Sequence, residues 1–245
     1  PAGAVVLARE AGPLGIAVAA EAQRVTAIVL SPAGGGLSGL DVTIQGRSAR
    51  ACGSGCYAAD VAPGRTVTVA VAGFGPTRTA SFALPVQAPS AAALVRRARA
   101  AFRSLRSVTY RERLASDEAH VLVTRWRLER PNRIAYSIAD GAQGIVIGNR
   151  RWDRDAPDGR WIESVQTPLT QPAAQWASAT NAHVLARTAS TTTVSFVDPT
   201  IPGYFTITLD RQTLRLRALH MTASAHFMTD RYLGFNASRA IRPPR

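Results

Sequence analysis

Alternation between apolar and polar residues is the dominant pattern in the second part of the chain. It runs with a period of two through residues 108–114, 122–128, 134–138 and 205–209, as in strands whose successive side chains point to opposite faces. Clusters of Pro, Gly, Asn and Asp separate these runs where antiparallel strands would reverse. No helical pattern of crossover length separates most of them, which disfavours a parallel sheet. The pattern predicts one large, curved antiparallel sheet.

A helical pattern directly precedes this sheet. Apolar residues recur on one stripe while arginines occupy the positions between them, the spacing of a helix that lies on a sheet. The stripe consists of Leu94, Ala98, Ala101, Phe102 and Leu105. Ser90 is suited to cap the start of this helix. We therefore expect a helix that covers one face of the sheet.

Three further expectations concern the end of the chain. A short helix is predicted at residues 172–179, with Ala174, Trp176 and Ala177 facing inward. Residues 214–235 are expected to form one long final strand or a bent pair. The tail from Ile241 carries two prolines and is expected to trail off.

The first part of the chain has a different organisation. Seven short apolar or alternating runs, mostly separated by Gly, Pro or Ser clusters, lie at 4–8, 14–20, 25–30, 40–45, 56–61, 66–72 and 79–84. Regular short strands with turns between them are typical of a small immunoglobulin-like β-sandwich. Residues 86–90 form a linker. We predict two domains, residues 1–86 and residues 87–245.

Composition changes this picture only in part. All 29 basic residues are Arg, and the net charge is +13. Residues 1–88 hold six Arg and four acidic residues, so the remaining 23 Arg and 12 acidic residues give the second domain most of the charge. Anionic lipid head groups, or simple solubility, would suit such a surface. Nucleic acid is disfavoured as a partner, because neither a helix-turn-helix pattern nor an aromatic-studded basic groove is present.

The ends and the cysteines suggest a location. No apolar stretch of about 18 residues and no signal-like segment occurs. The chain starts at Pro1, and we interpret it as part of a longer protein or a processed form. Cys52 and Cys56 lie in a Gly-rich loop, and three interpretations stay open: a disulfide, two free thiols, and a Cu(I) or redox site. The disulfide is favoured, and it would imply an extracytoplasmic location.

Candidate chemistry is sparse. No catalytic motif is present, so we do not expect an enzyme. His220, His226 and Met228 would share one face of an unbroken final strand, and imidazole and thioether are copper ligands. Along an extended strand the two histidines would be too far apart for one ion, unless a bulge or pairing with His120 or His183 intervened. The alternative is that all three residues only pack in the fold. We predict no cofactor, although copper binding stays a possibility.

Aromatic residues point to a second kind of site. A curved sheet that is apolar inside and covered by a helix can hold a hydrophobic ligand. The predicted lining consists of Trp126, Tyr136, Phe205 and Phe227. The alternative is that helices and the domain interface fill this space completely.

The pattern resembles two known groups of proteins. The helix, the motif at 127–134 (RLERPNRI) and the segment 150–161 are similar to the lipoprotein-carrier LolA-like superfamily, which implies a half-barrel closed by helix that binds acyl chains. The sandwich with the motif at 51–57 (ACGSGCY), followed by such a domain, resembles the extracytoplasmic C-terminal region of actinobacterial copper resistance protein D membrane proteins. That resemblance implies a preceding membrane region of the same longer chain. The first domain lacks His and Met, so a copper site of the related copper resistance protein C module is not carried over to it.

The resulting hypothesis is a non-enzymatic module on the extracytoplasmic face of the cell membrane, linked to copper transport or resistance. Its half-barrel would suit a hydrophobic or lipid ligand, or a protein partner. One alternative is a free-standing periplasmic carrier of lipid or lipoprotein. The other is a copper-binding domain that uses the final strand.

Overall fold

The computed structural model describes residues 3–117, 119–224, 226–237 and 240–244. The described residues are mainly β, with 54% strand and one short helix. Every strand pairing in the described residues is antiparallel, which confirms the predicted class. No described helix is both long and apolar enough to cross a membrane.

Nine strands form two sheets in the first part of the chain. They are β1 (Val5–Ala11), β2 (Leu14–Ala20), β3 (Val25–Leu30), β4 (Asp41–Ile44), β5 (Arg47–Ser48), β6 (Arg50–Gly53), β7 (Cys56–Ala59), β8 (Thr66–Ala72) and β9 (Arg78–Ala83). One sheet has the order β1-β2-β3-β7-β6 and the other the order β5-β4-β8-β9. Their alternating apolar residues meet in one buried core, so the two sheets form a sandwich. All seven predicted runs coincide with strands.

The single described helix, α1 (Ala92–Arg103), follows the sandwich. Its N-cap is Ala91 and not Ser90, so the predicted cap is wrong. The reason is that Ser90 makes a β-bridge to His183 and the Ala91 N–H donates to Ala182, which hold this residue pair against the sheet. The helix buries Ala98 and Phe102, as predicted, together with Val95.

Eleven strands form the large sheet. They are β10 (Ser107–Ala115), β11 (Val121–Glu129), β12 (Arg133–Ile138), β13 (Gln143–Ile147), β14 (Arg150–Arg154), β15 (Ile162–Val165), β16 (Thr180–Arg187), β17 (Thr191–Asp198), β18 (Gly203–Asp210), β19 (Leu216–Ala223) and β20 (His226–Phe235). The strand order is β15-β14-β13-β12-β11-β10-β20-β19-β18-β17-β16. Residues 214–235 thus contain a hairpin, which agrees with the bent pair and not with one long strand.

The two faces of the large sheet have different neighbours. The inner face, which carries Val108, Tyr110 and Phe205, packs against α1. The outer face meets the sandwich through β1 and β2, which contact β16–β19. At this boundary the Ser224 hydroxyl donates to the Gly34 carbonyl oxygen at 2.7 Å. The sandwich has few described contacts with β10–β15, so it covers only part of the outer face.

Residues 166–179, the crossover segment, connect β15 at one edge of the sheet to β16 at the other. The helix predicted at 172–179 does not form there. The backbone bonds to the sheet instead: Gln171 N–H donates to the Pro131 carbonyl, and two further N–H groups donate to Asp198. Trp176 is buried as predicted, whereas Ala177 is exposed, contrary to the prediction.

The described part of the tail, residues 240–244, does not trail off at its start. Ile241 is buried, its N–H donates to Glu129 Oε2 at 2.7 Å, and its carbonyl accepts from Arg133 Nη1 at 2.7 Å. The predicted loose tail is therefore wrong for this residue, while Arg245 lies outside the described residues. Ile241 is fixed to the sheet, because its side chain is buried and both of its backbone polar groups are hydrogen-bonded.

Candidate functional site

The register of the large sheet places four aromatic rings in one row across its inner face. Tyr232, Tyr110, Trp126 and Tyr136 are successive cross-strand partners on β20, β10, β11 and β12. Their ring centroids are 5.2, 6.3 and 5.2 Å apart along this aromatic row. Phe102 of α1 contacts Tyr232 edge-on at 5.8 Å, so the helix closes one end of the row. These side chains form a continuous aromatic row on the inner face of the sheet.

The other end of the aromatic row is fixed by a glycine and an ion pair. The Tyr136 ring lies over Gly144, where a Cβ atom would come within 2.2 Å of the ring. The Tyr136 hydroxyl donates to Asp153 Oδ1 at 3.0 Å, and Arg151 Nε donates to Asp153 Oδ2 at 2.6 Å. The Arg151 hydrogen bond lowers the pKa of the Asp153 carboxyl. Tyr136 is therefore held in one orientation.

A pair of carboxyl groups lies beside the aromatic row. Asp230 and Glu112 are direct cross-strand partners on the inner face and are 0% and 7% exposed. Burial, followed by the charge of Glu112, raises the pKa of Asp230 to about 7. Burial also raises the pKa of Glu112. No described arginine forms an ion pair with either group, although the chain holds 29. We call these two residues the carboxyl pair.

Three buried polar atoms around the carboxyl pair have no hydrogen-bond partner in the described structure. They are Asp230 Oδ1, Gln175 Oε1 and Trp126 Nε1. Gln175 belongs to the crossover segment and its Nε2 donates to Met228 Sδ at 3.7 Å. The Gln175 amide also lies close enough to Tyr110 and Asp230 to lower the pKa of each, against the stronger effect of burial. The Trp126 indole likewise lowers the pKa of Glu112 slightly, although its N–H does not have the geometry of a full hydrogen bond.

A row of methionine and leucine side chains lies between the carboxyl pair and the edge of the inner face. Met221, Met228, Leu114 and Leu122 are successive cross-strand partners there. Leu114 and Leu122 reach a cavity of about 510 Å³, the open-end cleft, whose other lining residues are Ser116, Ala119, His120, Val121 and His226. Leu122 is 50% exposed in this cleft. Its size and mainly apolar lining are those of a small-molecule site.

Three of the four predicted ligand-lining residues share the inner face. Trp126 and Tyr136 belong to the aromatic row, and Phe205 is buried in a stack with Phe196 at 5.1 Å. Phe227 lies on the outer face, because its cross-strand partners are Ala115 and Thr222. Its ring packs toward Gly15 of the sandwich, 3.3 Å from where a Cβ would be. Of these four residues, the structure therefore brings Trp126 and Tyr136 into ring contact, places Phe205 in a separate stack, and puts Phe227 on the opposite face.

The hairpin between β19 and β20 also separates the predicted metal ligands. His226 and Met228 are on the inner face, while His220 pairs with Thr229 on the outer face. His220 Nδ1 lies 3.2 Å from Thr229 Oγ1, and burial lowers the pKa of this imidazole. Within the described ranges, no three His, Cys, Asp or Glu side chains are grouped as a metal site. The hairpin instead brings Met221 directly opposite Met228.

The cysteine prediction has a clear outcome. Cys52 and Cys56 form a disulfide with a Cα–Cα distance of 5.0 Å, in the β6–β7 hairpin. Neither cysteine is free. The favoured interpretation is confirmed, and the interpretations as free thiols or as a Cu(I) site do not apply to the oxidised protein.

Sequence reasoning missed the carboxyl pair and Gln175. One signal was present, because Glu112 occupies an inward position in the alternation of β10. A lone acidic residue at an apolar position marks a buried carboxyl group, but its partner lies 118 positions away and only the β10–β20 register brings them together.

No family model matches this chain, and a search of curated proteins finds no relative.

Proposed function

We propose that this protein is a non-enzymatic extracytoplasmic binding module that holds a hydrophobic ligand against the inner face of its large sheet. In this proposal the sandwich is immunoglobulin-like and the large sheet is a LolA-like half-barrel. The observation that carries the proposal is the open-end cleft, a mainly apolar cavity at the edge of the inner face that Leu114, Val121 and Leu122 line. A ligand seated there would bury its apolar surface against Leu114, Val121 and Leu122.

The crossover segment supports the curved shape that this proposal needs. Ten strand spacings of about 4.8 Å would make a flat sheet about 48 Å wide. Fifteen residue steps could span about 50 Å only if fully extended. The backbone of the segment instead bends within residues 171–177, so a sheet whose two edges approach each other fits its length better than a flat one. Curvature of this sense gives the inner face a hollow.

The disulfide supports an extracytoplasmic location, since oxidised cysteine pairs persist mainly outside the reducing cytoplasm. The proposed link to copper transport, and to a membrane region of a longer chain, rests on the sequence resemblance. Titration with Cu(I) tests the first part of that link. Saturable binding that is lost in His226→Ala and Met228→Ala would support it, and binding unchanged in both would contradict the use of these residues.

Solvent extraction of the purified protein followed by mass spectrometry tests ligand binding directly, and bound acyl chains are expected. A hydrophobic naphthylamine probe then tests the site. Leu122→Asp should weaken probe binding at least about tenfold, because a charge replaces apolar surface in the cleft. Val165→Asp is the matched control, since Val165 is 89% exposed on β15 and lies outside the cleft. Equal probe binding by both variants would contradict the proposed site, and no probe binding by the unaltered protein would mean that the hollow is filled.

A further inference from the structure

Three arginines stand side by side on the outer face of the large sheet. Arg231, Arg111 and Arg125 are direct cross-strand partners on β20, β10 and β11. All three are exposed, and none forms an ion pair or side-chain hydrogen bond with another described residue. We call these residues the arginine row.

This arrangement is unfavourable for the isolated fold. Like charges directly opposite one another on neighbouring strands repel, whereas opposite charges there would attract. Other arginines of the same sheet avoid this cost: Arg150 pairs with Glu163 at 2.7 Å and Arg217 with Asp210 at 2.6 Å. No described acidic side chain therefore offsets the repulsion among the three arginines of the row.

The region around the arginine row is open and partly apolar. The sandwich contacts the β16–β19 half of the outer face, and the Arg113–Glu10 pair at 3.8 Å marks its border. Beyond this border, Leu233 is 59% exposed. A shallow cavity of about 280 Å³ lies between Arg111 and Arg125, lined also by Val123, Ser137, Ala139 and Leu233.

We infer that the arginine row is a docking surface for a membrane that contains anionic phospholipid. Guanidinium groups bind phosphate oxygens with paired hydrogen bonds, and a lipid surface supplies many phosphates at once across the width of three strands. Exposed Leu233, with Val123 and Ala139 of the cavity between the arginines, would contact the glycerol and upper acyl region. This surface lies on the face opposite the ligand hollow, so the inference goes beyond the proposed ligand-binding function and does not depend on it.

Vesicle co-sedimentation of the full chain tests the inference. The protein should bind vesicles that contain about one third phosphatidylglycerol and not vesicles of phosphatidylcholine alone. Binding should weaken as salt shortens the screening length. The triple variant Arg111→Gln, Arg125→Gln, Arg231→Gln should lose on the order of 100-fold in partition coefficient. It should also fold at least as well as the unaltered protein, because the substitutions remove repulsion.

A charge-matched control separates the arginine row from net charge. Arg24, Arg47 and Arg65 are exposed on the sandwich, and Arg24→Gln, Arg47→Gln, Arg65→Gln removes the same charge. Vesicle binding by this control should change by less than about threefold. Equal losses in the two triple variants would overturn the inference, since net charge alone would then explain binding. Failure of the unaltered protein to bind anionic vesicles would also overturn the inference. The arginine row would then have a different partner, such as an acidic protein.

Discussion

Asp230 makes the stability of this protein depend on pH in an unusual direction. Its pKa of about 7 in the folded state lies well above the ordinary value of 3.8, which it regains on unfolding. Between these two values the folded protein binds more protons than the unfolded chain, so the free energy of unfolding falls as pH rises. The stabilisation is complete below about pH 4 and is lost by about pH 7.

The size of the effect follows from the shift in pKa. About three pKa units at 1.36 kcal/mol each give an upper value of roughly 4 kcal/mol. Asp230→Asn keeps the shape of the side chain and cannot ionise. It should therefore stabilise the protein at about pH 8 by up to roughly 4 kcal/mol and leave stability near pH 4 almost unchanged. The remaining pH dependence would come partly from Glu112, whose pKa is raised in the same direction.

Urea unfolding followed by circular dichroism, at several values between about pH 4 and pH 8, measures this difference. Asp158→Asn is the control, because Asp158 is exposed in the turn after β14 and makes no described side-chain contact. Parallel pH profiles for Asp230→Asn and the unaltered protein would refute the reasoning, since the buried carboxyl group would then not be the source of the slope.

Three further predictions concern the elements that hold the fold. Replacing Cys52 and Cys56 by Ser should lower the free energy of unfolding by about 2 kcal/mol, measured with urea, because the closed loop is small; an unchanged value would contradict this. Gly144→Ala should cost about 1–3 kcal/mol and change the near-ultraviolet signal of Tyr136, whose ring occupies the space that the Cβ needs. Phe102→Ala should cost about 3–5 kcal/mol, since it removes the buried contact of α1 with the aromatic row; a loss below about 1 kcal/mol would mean that the helix is not held there.

Local patterns were enough to predict most of the strands. Alternation depends only on neighbouring residues, so β3 and β8 show in the sequence the same period of buried positions that they have in the structure. The stripe of α1 was visible for the same reason. Local expectations failed where contacts with distant residues outweighed them: Ser90 bridges to β16 and does not cap the helix, and residues 172–179 bond to the sheet and not to themselves.

The sequence by itself determined the mainly β class, the antiparallel pairing, the helix that precedes the large sheet and the cysteine loop, because each follows from local periodicity or spacing. Tertiary structure alone decided which side chains meet. The pairing of Ala223 with His226 placed His220 and Phe227 on the outer face, and Met228 on the inner face opposite Met221. The registers of β10 with β20 and β11 joined Glu112 to Asp230 and aligned the three arginines. In a sheet, a shift of one residue in register exchanges the two faces, and register is fixed by packing of the whole domain and not by any one strand.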